Sequence, residues 1–247
     1  MAILVTGGTK GIGRGIAERF AAPDVTVLLN YVSDDDAAAA AADAVAAKGG
    51  TAVLLKRDIT TSDGAEALLS DVAQRTDRLD QLVHAAVYPY ATSLLAADPA
   101  ELDRAVALNG TSLVHLVRAA MPLFRPGSTV FFLSSRGSKV AVPNYGPIGG
   151  PKAMAEAFVR YLAVELAGVG VRAHVVSASL VLTEAVRRLF GDATDARAEA
   201  AAAANPMKRN VTAQDVAEVV HFLASPAAEM LTGRELFVDG GAYVKAG

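Results

Sequence analysis

The chain has 247 residues, which suits one large α/β domain, and no Ser/Pro-rich linker divides it. Hydrophobic residues make up 52% and charged residues 20%, so a sizeable core can form and extensive disorder is not expected. The formal net charge of -3 offers no basic surface for nucleic acid, and the lack of cysteine excludes disulfides, thiolate metal sites and cysteine nucleophiles. We therefore expect a single domain over residues 1–247 with no nucleic-acid partner.

The sequence carries no targeting or metal-binding signal. The apolar start at residues 2–5 is too short for a signal peptide, and no run of about 18 apolar residues predicts a membrane span. The four histidines show no metal-ligand spacing and are expected to be packed or surface residues. These features predict a cytoplasmic protein with no metal site and no membrane partner.

Short apolar runs alternate with longer helical patterns along the chain. The predicted strands are residues 2–6, 25–29, 51–55, 81–85, 130–133, 171–176 and 236–238. The predicted helices are residues 11–22, 34–48, 62–75, 99–123, 152–166 and 212–223. Most of the strands show no polar alternation, as expected when both faces are covered. The pattern predicts a Rossmann-type, doubly wound parallel α/β sheet of about seven strands.

A glycine-rich loop, Thr6-Gly-Gly-Thr-Lys-Gly-Ile-Gly13, joins the first strand to the first helix. Gly7 suits a tight turn, Gly11 allows the backbone to approach a pyrophosphate, and Gly13 permits close packing of helix on strand. Backbone N–H groups at the start of the helix attract phosphate. The candidate cofactor-binding residues here are Gly7, Thr9, Lys10, Gly11, Ile12 and Gly13.

The end of the second predicted strand decides which dinucleotide is expected. Tyr31 stands where an NAD-binding carboxylate would be sought. Lys10 could pair with a 2′-phosphate and Ser33 could hydrogen-bond it, which favours NADPH over NADH. The carboxylates of residues 34–36 oppose this choice if they face the phosphate, although as an acidic first turn they also suit a surface helix.

Tyr145 and Lys152 form the candidate catalytic pair, and Lys152 is seven positions after Tyr145. Pro147 and Pro151 lie between them, and proline fits best in the first turn of a helix. We therefore expect Tyr145 on the loop that precedes the helix, with its position set by loop packing.

With these motifs together, the chain resembles the short-chain dehydrogenase/reductase family over nearly its whole length. The resemblance implies that Asp58 and Ile59, after the third strand, contact adenine. It implies that Asn109 supports the active-site lysine through water. The segment Phe237-Val-Asp-Gly-Gly241 is similar to a closing strand that packs in the core of a homotetramer.

Departures from the usual family pattern point to one group of members. The family's Tyr-x-x-x-Lys spacing would place the tyrosine at position 148, which is Ile148. His84-Ala-Ala-Val87 replaces Asn-Asn-Ala-Gly, and Ser177-Ala178 replaces Pro-Gly. These changes, with the segments 141–145 and 160–166, are similar to enoyl-acyl-carrier-protein reductases. The resemblance adds candidate cofactor contacts from Ala85, Ala86, Lys152, Val181 and Thr183.

The resemblance implies reduction of a 2-enoyl thioester carried by acyl-carrier protein or coenzyme A. Hydride addition to the β-carbon develops charge on the thioester oxygen, which the Tyr145 phenol would stabilise. Lys152 would hold the nicotinamide ribose, and Ser135 either assists catalysis or bonds only to backbone. The alternatives are a 3-oxoacyl or other carbonyl reductase and a redox-silent NADP-binding sensor.

Two further segments have open roles. Residues 199–204 lie in the long segment 184–211 and form either a lid over the site or a plain surface helix. Tyr88 and Tyr90 follow the fourth strand and either line the acyl pocket or pack in the interior.

Overall fold

A computed structural model describes residues 1–244. Its sheet has seven parallel strands in the order β3-β2-β1-β4-β5-β6-β7. The strands are β1 (Ala2–Thr6), β2 (Thr26–Tyr31), β3 (Thr51–Lys56), β4 (Leu79–His84), β5 (Phe124–Ser135), β6 (Arg172–Ala178) and β7 (Glu235–Val238). The chain leaves β1 toward β2 and β3, then returns to the other side of β1 as β4. The prediction of a doubly wound parallel sheet is confirmed.

Helices cover both faces of this sheet. They are α1 (Gly11–Phe20), α2 (Asp35–Ala46), α3 (Ser62–Ala73), α4 (Pro99–Val106), α5 (Ser112–Ala120), α6 (Gly146–Glu165), α7 (Glu184–Phe190), α8 (Thr194–Ala204) and α9 (Ala213–Ala224). One apolar core joins the sheet to α3, α5 and α6, and a second joins it to α1, α2 and α9. Both faces of the strands are therefore buried, as their continuous apolar runs predicted. In the described part of the chain, no helix is both long and apolar enough to span a membrane.

The helix predicted over residues 99–123 is interrupted, so that prediction is wrong in part. A π-helical turn at Ala107–Thr111 separates α4 from α5. The side chain of Asn109, inside this turn, accepts a hydrogen bond from the backbone N–H of Tyr88 at 2.8 Å and donates one to its carbonyl at 3.0 Å. The turn is thus hydrogen-bonded to a residue 21 positions away, and the helical periodicity of the sequence does not reveal such a distant partner.

The helix predicted to begin at Lys152 instead begins at Gly146, and Tyr145 is the residue that precedes it. Pro147 occupies the first turn, whereas Pro151 lies inside the helix. The backbone N–H groups of Ile148 and Gly149 donate to the carbonyl of Tyr145 and start the helix. Tyr145 is therefore at the loop-to-helix junction, as expected, but Pro151 does not mark the first turn.

Candidate active site

The candidate site lies at the carboxyl ends of the strands, where the strand order reverses between β1 and β4. Loops that leave neighbouring strands in opposite directions open a crevice at such a point. The glycine-rich loop follows β1, the segment at Ala85 and Ala86 follows β4, and Ser135 ends β5. The topology alone therefore brings most of the predicted site residues to one edge of the sheet.

The glycine-rich loop is built for close backbone contacts. Gly7 and Gly11 have φ of +62° and +53°, in the left-handed region that favours glycine. A Cβ on Gly7 would lie 2.9 Å from Cα of Ala86, and one on Gly13 would lie 2.3 Å from the Gly7 carbonyl oxygen. The loop can keep this course only with glycine, and it places the N-terminus of α1 at a groove suited to a pyrophosphate.

A cavity of about 800 Å³ follows this groove. The predicted cofactor residues that line it are Gly7, Thr9, Lys10, Gly11, Ile12, Gly13, Tyr31, Ser33, Asp58, Ile59, Ala85, Ala86 and Thr183. Two other predicted contacts, Lys152 and Val181, line an adjoining cavity instead. The cavity and the backbone N–H donors of the loop fit a dinucleotide that lies along the crevice.

Some residues that line this first cavity were missed by the sequence interpretation. Asn30 is buried and its side-chain N–H groups donate to the carbonyls of Leu55 at 3.1 Å and Arg57 at 2.9 Å. Glu184 and Arg188 reach the cavity from α7. Asn30 directly follows the strand predicted over residues 25–29, and the other two lie in the long segment 184–211, so no motif marked them.

Charged side chains at the outer end of this cavity are already paired. Lys10 Nζ lies 2.5 Å from a carboxylate oxygen of Asp34 and 2.5 Å from one of Glu184. The hydrogen bond from Lys10 lowers the pKa of Asp34, while both carboxylates raise the pKa of Lys10. Lys56 is similarly paired with Asp35. The predicted contact of Lys10 with a 2′-phosphate would have to compete with two carboxylates.

Tyr145 and Ser135 meet at the end of β5. Their hydroxyl oxygens are 3.1 Å apart, and either one can donate. Burial raises the pKa of Tyr145, opposed by the hydrogen bond to Ser135, so the phenol is held in its protonated, donating form. Ile148, at the usual tyrosine position, is only 1% exposed and belongs to the interior.

Lys152 is a buried cation on α6. Its Nζ donates to the carbonyl oxygen of Leu133 at 2.5 Å and lies 5.3 Å from the ring centre of Phe132. Burial lowers the pKa of Lys152 to about 8, and the negative charge of Glu156, one turn along the helix, acts in the opposite direction. The lysine is thus close to its titration point at neutral to weakly alkaline pH.

Asn109 bonds to the backbone of the segment that follows β4. Its side chain accepts one hydrogen bond from the N–H of Tyr88 and donates one to the carbonyl of the same residue. The π-helical turn that carries it packs against α6, where Gly110 leaves room for the side chain of Met154. Asn109 therefore holds the segment after β4 against the helix that carries Lys152, and the predicted water-mediated link to the lysine remains a prediction.

His84 is packed in the interior, which is one of the two environments expected for the histidines. Its ring nitrogens lie 2.7 Å from Thr6 Oγ1 and 2.8 Å from Ser112 Oγ. Because Ser112 donates to the Leu108 carbonyl, the His84 Nε2–H donates to Ser112 and Nδ1 accepts from Thr6. Burial, with the charge of Lys152 second, lowers the pKa of His84 to about 3, so the ring is neutral.

A second cavity, of about 530 Å³, adjoins the first beside Tyr145 and Lys152. Its walls are mostly apolar, and α8 contributes Ala200, Ala201 and Ala204. The alanine-rich stretch therefore covers the cavity and is not a plain surface helix. Among residues 1–244, no group of three or more histidine, aspartate or glutamate residues is placed to hold a metal ion.

Tyr88 and Tyr90 do not line this second cavity, although their neighbours Val87 and Pro89 do. The Tyr88 hydroxyl donates to Glu101, and the Tyr90 hydroxyl accepts from the backbone N–H of Asp98 at 2.9 Å. The two hydroxyls bond to Glu101 on α4 and to Asp98 just before it, so packing is their observed role.

Comparison with known proteins agrees with this architecture. Residues 7–243 match the family model described as enoyl-(acyl carrier protein) reductase. The chain is 33% identical over 243 residues to 1-cyclohexenylcarbonyl-CoA reductase of Streptomyces collinus, covering 98% of this chain and 87% of that protein. It is 30% identical over 248 residues to the NADH-dependent enoyl-[acyl-carrier-protein] reductase FabI of a Nostoc species, covering 96% and 94% of the two chains.

The solved structures include one of the angucycline C-6 ketoreductase LanV with bound NADP. It superposes with a TM-score of 0.89 at 25% identity, covering 99% of this chain and 96% of that one. Relatives named for enoyl reduction and for keto reduction thus share this fold. The parallel sheet, the glycine-rich loop and the match over residues 7–243 show that the chain belongs to the short-chain dehydrogenase/reductase family of oxidoreductases.

Proposed function

We propose that this protein uses a nicotinamide dinucleotide to reduce the carbon–carbon double bond of 2-enoyl thioesters. The observation that carries the proposal is the position of Tyr145 just before α6, where it lines the second cavity together with Ile148, the apolar residue at the usual tyrosine position. An enoyl substrate carries its oxygen two carbons away from the hydride-accepting carbon, and a displaced phenol suits that separation. The names of the Streptomyces and Nostoc relatives support the same substrate class.

The residues of the site would have two roles, to stabilise the developing charge and to position the reactants. The nicotinamide would supply a hydride to the β-carbon of the substrate. The Tyr145 hydroxyl, oriented by Ser135, would donate a hydrogen bond to the thioester oxygen as negative charge develops there. The buried Lys152 cation, held by the Leu133 carbonyl, would hold the nicotinamide ribose hydroxyls and favour the same charge.

The second cavity is the proposed acyl site. Apolar side chains from α7, including Val186 and Leu189, and the alanines of α8 would surround the acyl chain and exclude water from the reacting carbons.

Acyl-carrier protein and coenzyme A are the proposed carriers, and a homotetramer is the proposed assembly. Light scattering on the purified protein tests the assembly, and a mass near 25.4 kDa would contradict it.

NADPH is the form of the reductant that we propose from Lys10 and Ser33, which line the cavity. The bound NADP of the related ketoreductase structure supports it. The ion pairs of Lys10 with Asp34 and Glu184 and the name of the Nostoc relative favour NADH instead. Initial rates with each cofactor at matched concentrations distinguish the two, and a higher kcat/KM for NADH would refute the NADPH proposal.

A carbonyl reductase is the second candidate, because the paired hydroxyls of Tyr145 and Ser135 could also polarise a ketone oxygen. A structural relative is named for that reaction. The decisive assay follows cofactor absorbance with crotonyl and longer 2-enoyl thioesters beside acetoacetyl thioester. We expect oxidation of the cofactor with the enoyl substrates; a higher kcat/KM for the keto substrate would reverse the assignment.

A further inference from the structure

A buried polar cluster lies behind the candidate catalytic residues and joins five parts of the chain. Glu156 of α6 is 2% exposed, and its two carboxylate oxygens lie 2.5 Å from the Ser134 hydroxyl and 2.5 Å from Lys139 Nζ. Lys139 also lies 2.6 Å from Glu235, which accepts a hydrogen bond from Ser177 at 2.7 Å. We call these five residues the Glu156 cluster.

The cluster is tied to the segment that carries the catalytic hydroxyls. Lys139 lies in the connection between Ser135, at the end of β5, and Tyr145, at the start of α6. Its ammonium group reaches inward to Glu156 on α6 and Glu235 on β7, and its side chain is 26% exposed. Loss of either carboxylate would release one anchor of this connection.

The Glu156 cluster and the neighbouring Lys152 together carry equal numbers of negative and positive charges. Two carboxylates, from Glu156 and Glu235, face two ammonium groups, from Lys139 and Lys152. A buried carboxylate is costly unless it is paired and hydrogen-bonded, and both oxygens of Glu156 have partners. A buried ion network that is complete in this way holds its members in one arrangement.

We infer that Glu156 is a positioning residue, which anchors the Tyr145-bearing connection through Lys139 and places its carboxylate one helical turn from Lys152. The inference rests on the proposed function for the roles of Tyr145 and Lys152. Glu156 lies on α6 behind the reacting groups and is not among the residues that line either cavity.

The protonation of Lys152 also depends on the charges of the other ionisable groups near it. On β4, His84 is neutral because its pKa is lowered to about 3. Tyr145 stays protonated because burial raises its pKa. The charged groups around Glu156 are Lys139 from the connection after β5, Glu235 from β7, and Lys152 and Arg160 from its own helix; Arg160 donates to the Glu156 carbonyl at 3.3 Å. Removal of the Glu156 charge should therefore make Lys152 lose its proton at lower pH, whereas removal of the Lys139 charge should do the reverse.

The test compares Glu156→Gln and Lys139→Met, with Glu165→Gln as a matched control on an exposed part of the same helix. The titration of Lys152 is followed by NMR of ¹³C-labelled lysine, with its signal assigned from Lys152→Met, and kcat/KM is measured from pH 6 to 10. We expect the Lys152 titration to move down by about one pH unit in Glu156→Gln. It should move up in Lys139→Met and stay unchanged in Glu165→Gln, while kcat falls at least tenfold in the first two.

The opposite signs separate the inference from simple damage to the fold. No shift in Glu156→Gln, or shifts of the same sign in both cluster variants, would overturn it. If Glu156→Gln does not fold, the upward shift in the less buried Lys139→Met still decides the question. If the native protein reduces neither enoyl nor keto substrate, the proposed function fails, whereas the NMR titration continues to test the cluster.

Discussion

The hydroxyl of Ser135 lies 3.1 Å from the hydroxyl of Tyr145, and this contact joins the end of β5 to the start of α6 across nine intervening residues. The two residues come from different elements, so the contact depends on the path of the connection between them. It leaves the phenol beside the apolar cavity with a polar partner that can orient its proton.

Tyr145→Phe is expected to lower kcat by about 100- to 1000-fold, because it removes one donor to the developing negative charge. Cofactor binding, measured by fluorescence titration, should stay unchanged because the ring is kept. Tyr161→Phe is the matched control, since Tyr161 is 68% exposed on the same helix. Ser135→Ala should cause a smaller loss. Unchanged turnover in Tyr145→Phe would remove Tyr145 from the mechanism.

Activity is expected to fall as the pH rises through about 8, where Lys152 loses its proton. Burial disfavours the charged form of this lysine, and the proposed mechanism requires that form. Lys152→Arg should remove this alkaline limb because arginine stays protonated, although a lower rate is expected from the changed geometry. A limb that persists unchanged in Lys152→Arg would assign it to another group.

Asp34→Asn is expected to raise the preference for NADPH over NADH about tenfold. The substitution removes one negative charge from the cavity and leaves Lys10 with Glu184 as its remaining carboxylate partner. The ratio of kcat/KM for the two cofactors measures the effect. Asp36→Asn, which changes a carboxylate that also lines the cavity without pairing with Lys10, is the control. Equal ratios in the native protein and Asp34→Asn would show that Lys10 is not the selecting group.

Ala201→Leu is expected to exclude long acyl chains, because the larger side chain would extend from α8 into the second cavity. The KM for a ten-carbon 2-enoyl thioester should rise at least tenfold, while the KM for the crotonyl thioester changes little. Ala203→Leu tests specificity, since Ala203 is exposed on the same helix and does not line the cavity. Equal effects of the two substitutions would contradict the position of the acyl site.

Stability is expected to decrease as the pH falls from 6.5 toward 4 because of His174. This ring is 0% exposed, and burial, with the charge of Arg172 second, lowers its pKa to about 4. The unfolded chain therefore binds a proton in that window before the folded one does, at a cost of about 2 kcal/mol at pH 5. His174→Phe should lose less stability between pH 7.5 and pH 5 in urea unfolding; an equal loss would exclude His174 as the source.

The local signals in the sequence predicted the elements that neighbouring residues control. The glycine-rich loop after an apolar strand identified the cofactor groove, because the positive φ of Gly7 and the contact of Gly13 with the Gly7 carbonyl arise within one strand–loop–helix unit. Alternating strands and helices predicted the parallel sheet, since strands buried on both faces must be apolar throughout. The prolines between Tyr145 and Lys152 likewise predicted that the tyrosine precedes the helix, although the helix begins at Gly146 and not at Lys152.

Features that depend on distant partners were not predictable in this way. The helical pattern over residues 99–123 is continuous, and the backbone of Tyr88 engages it at Asn109. Lys10 was expected to meet a phosphate, but Asp34 and Glu184 reach it from two other elements. Sequence by itself determined the fold class and the groove, because these follow from local periodicity and backbone freedom, and the resemblance to a known family marked the candidate pair. Tertiary structure alone decided the surroundings and position of the candidate catalytic groups, because burial and long-range ion pairs arise only when the elements pack.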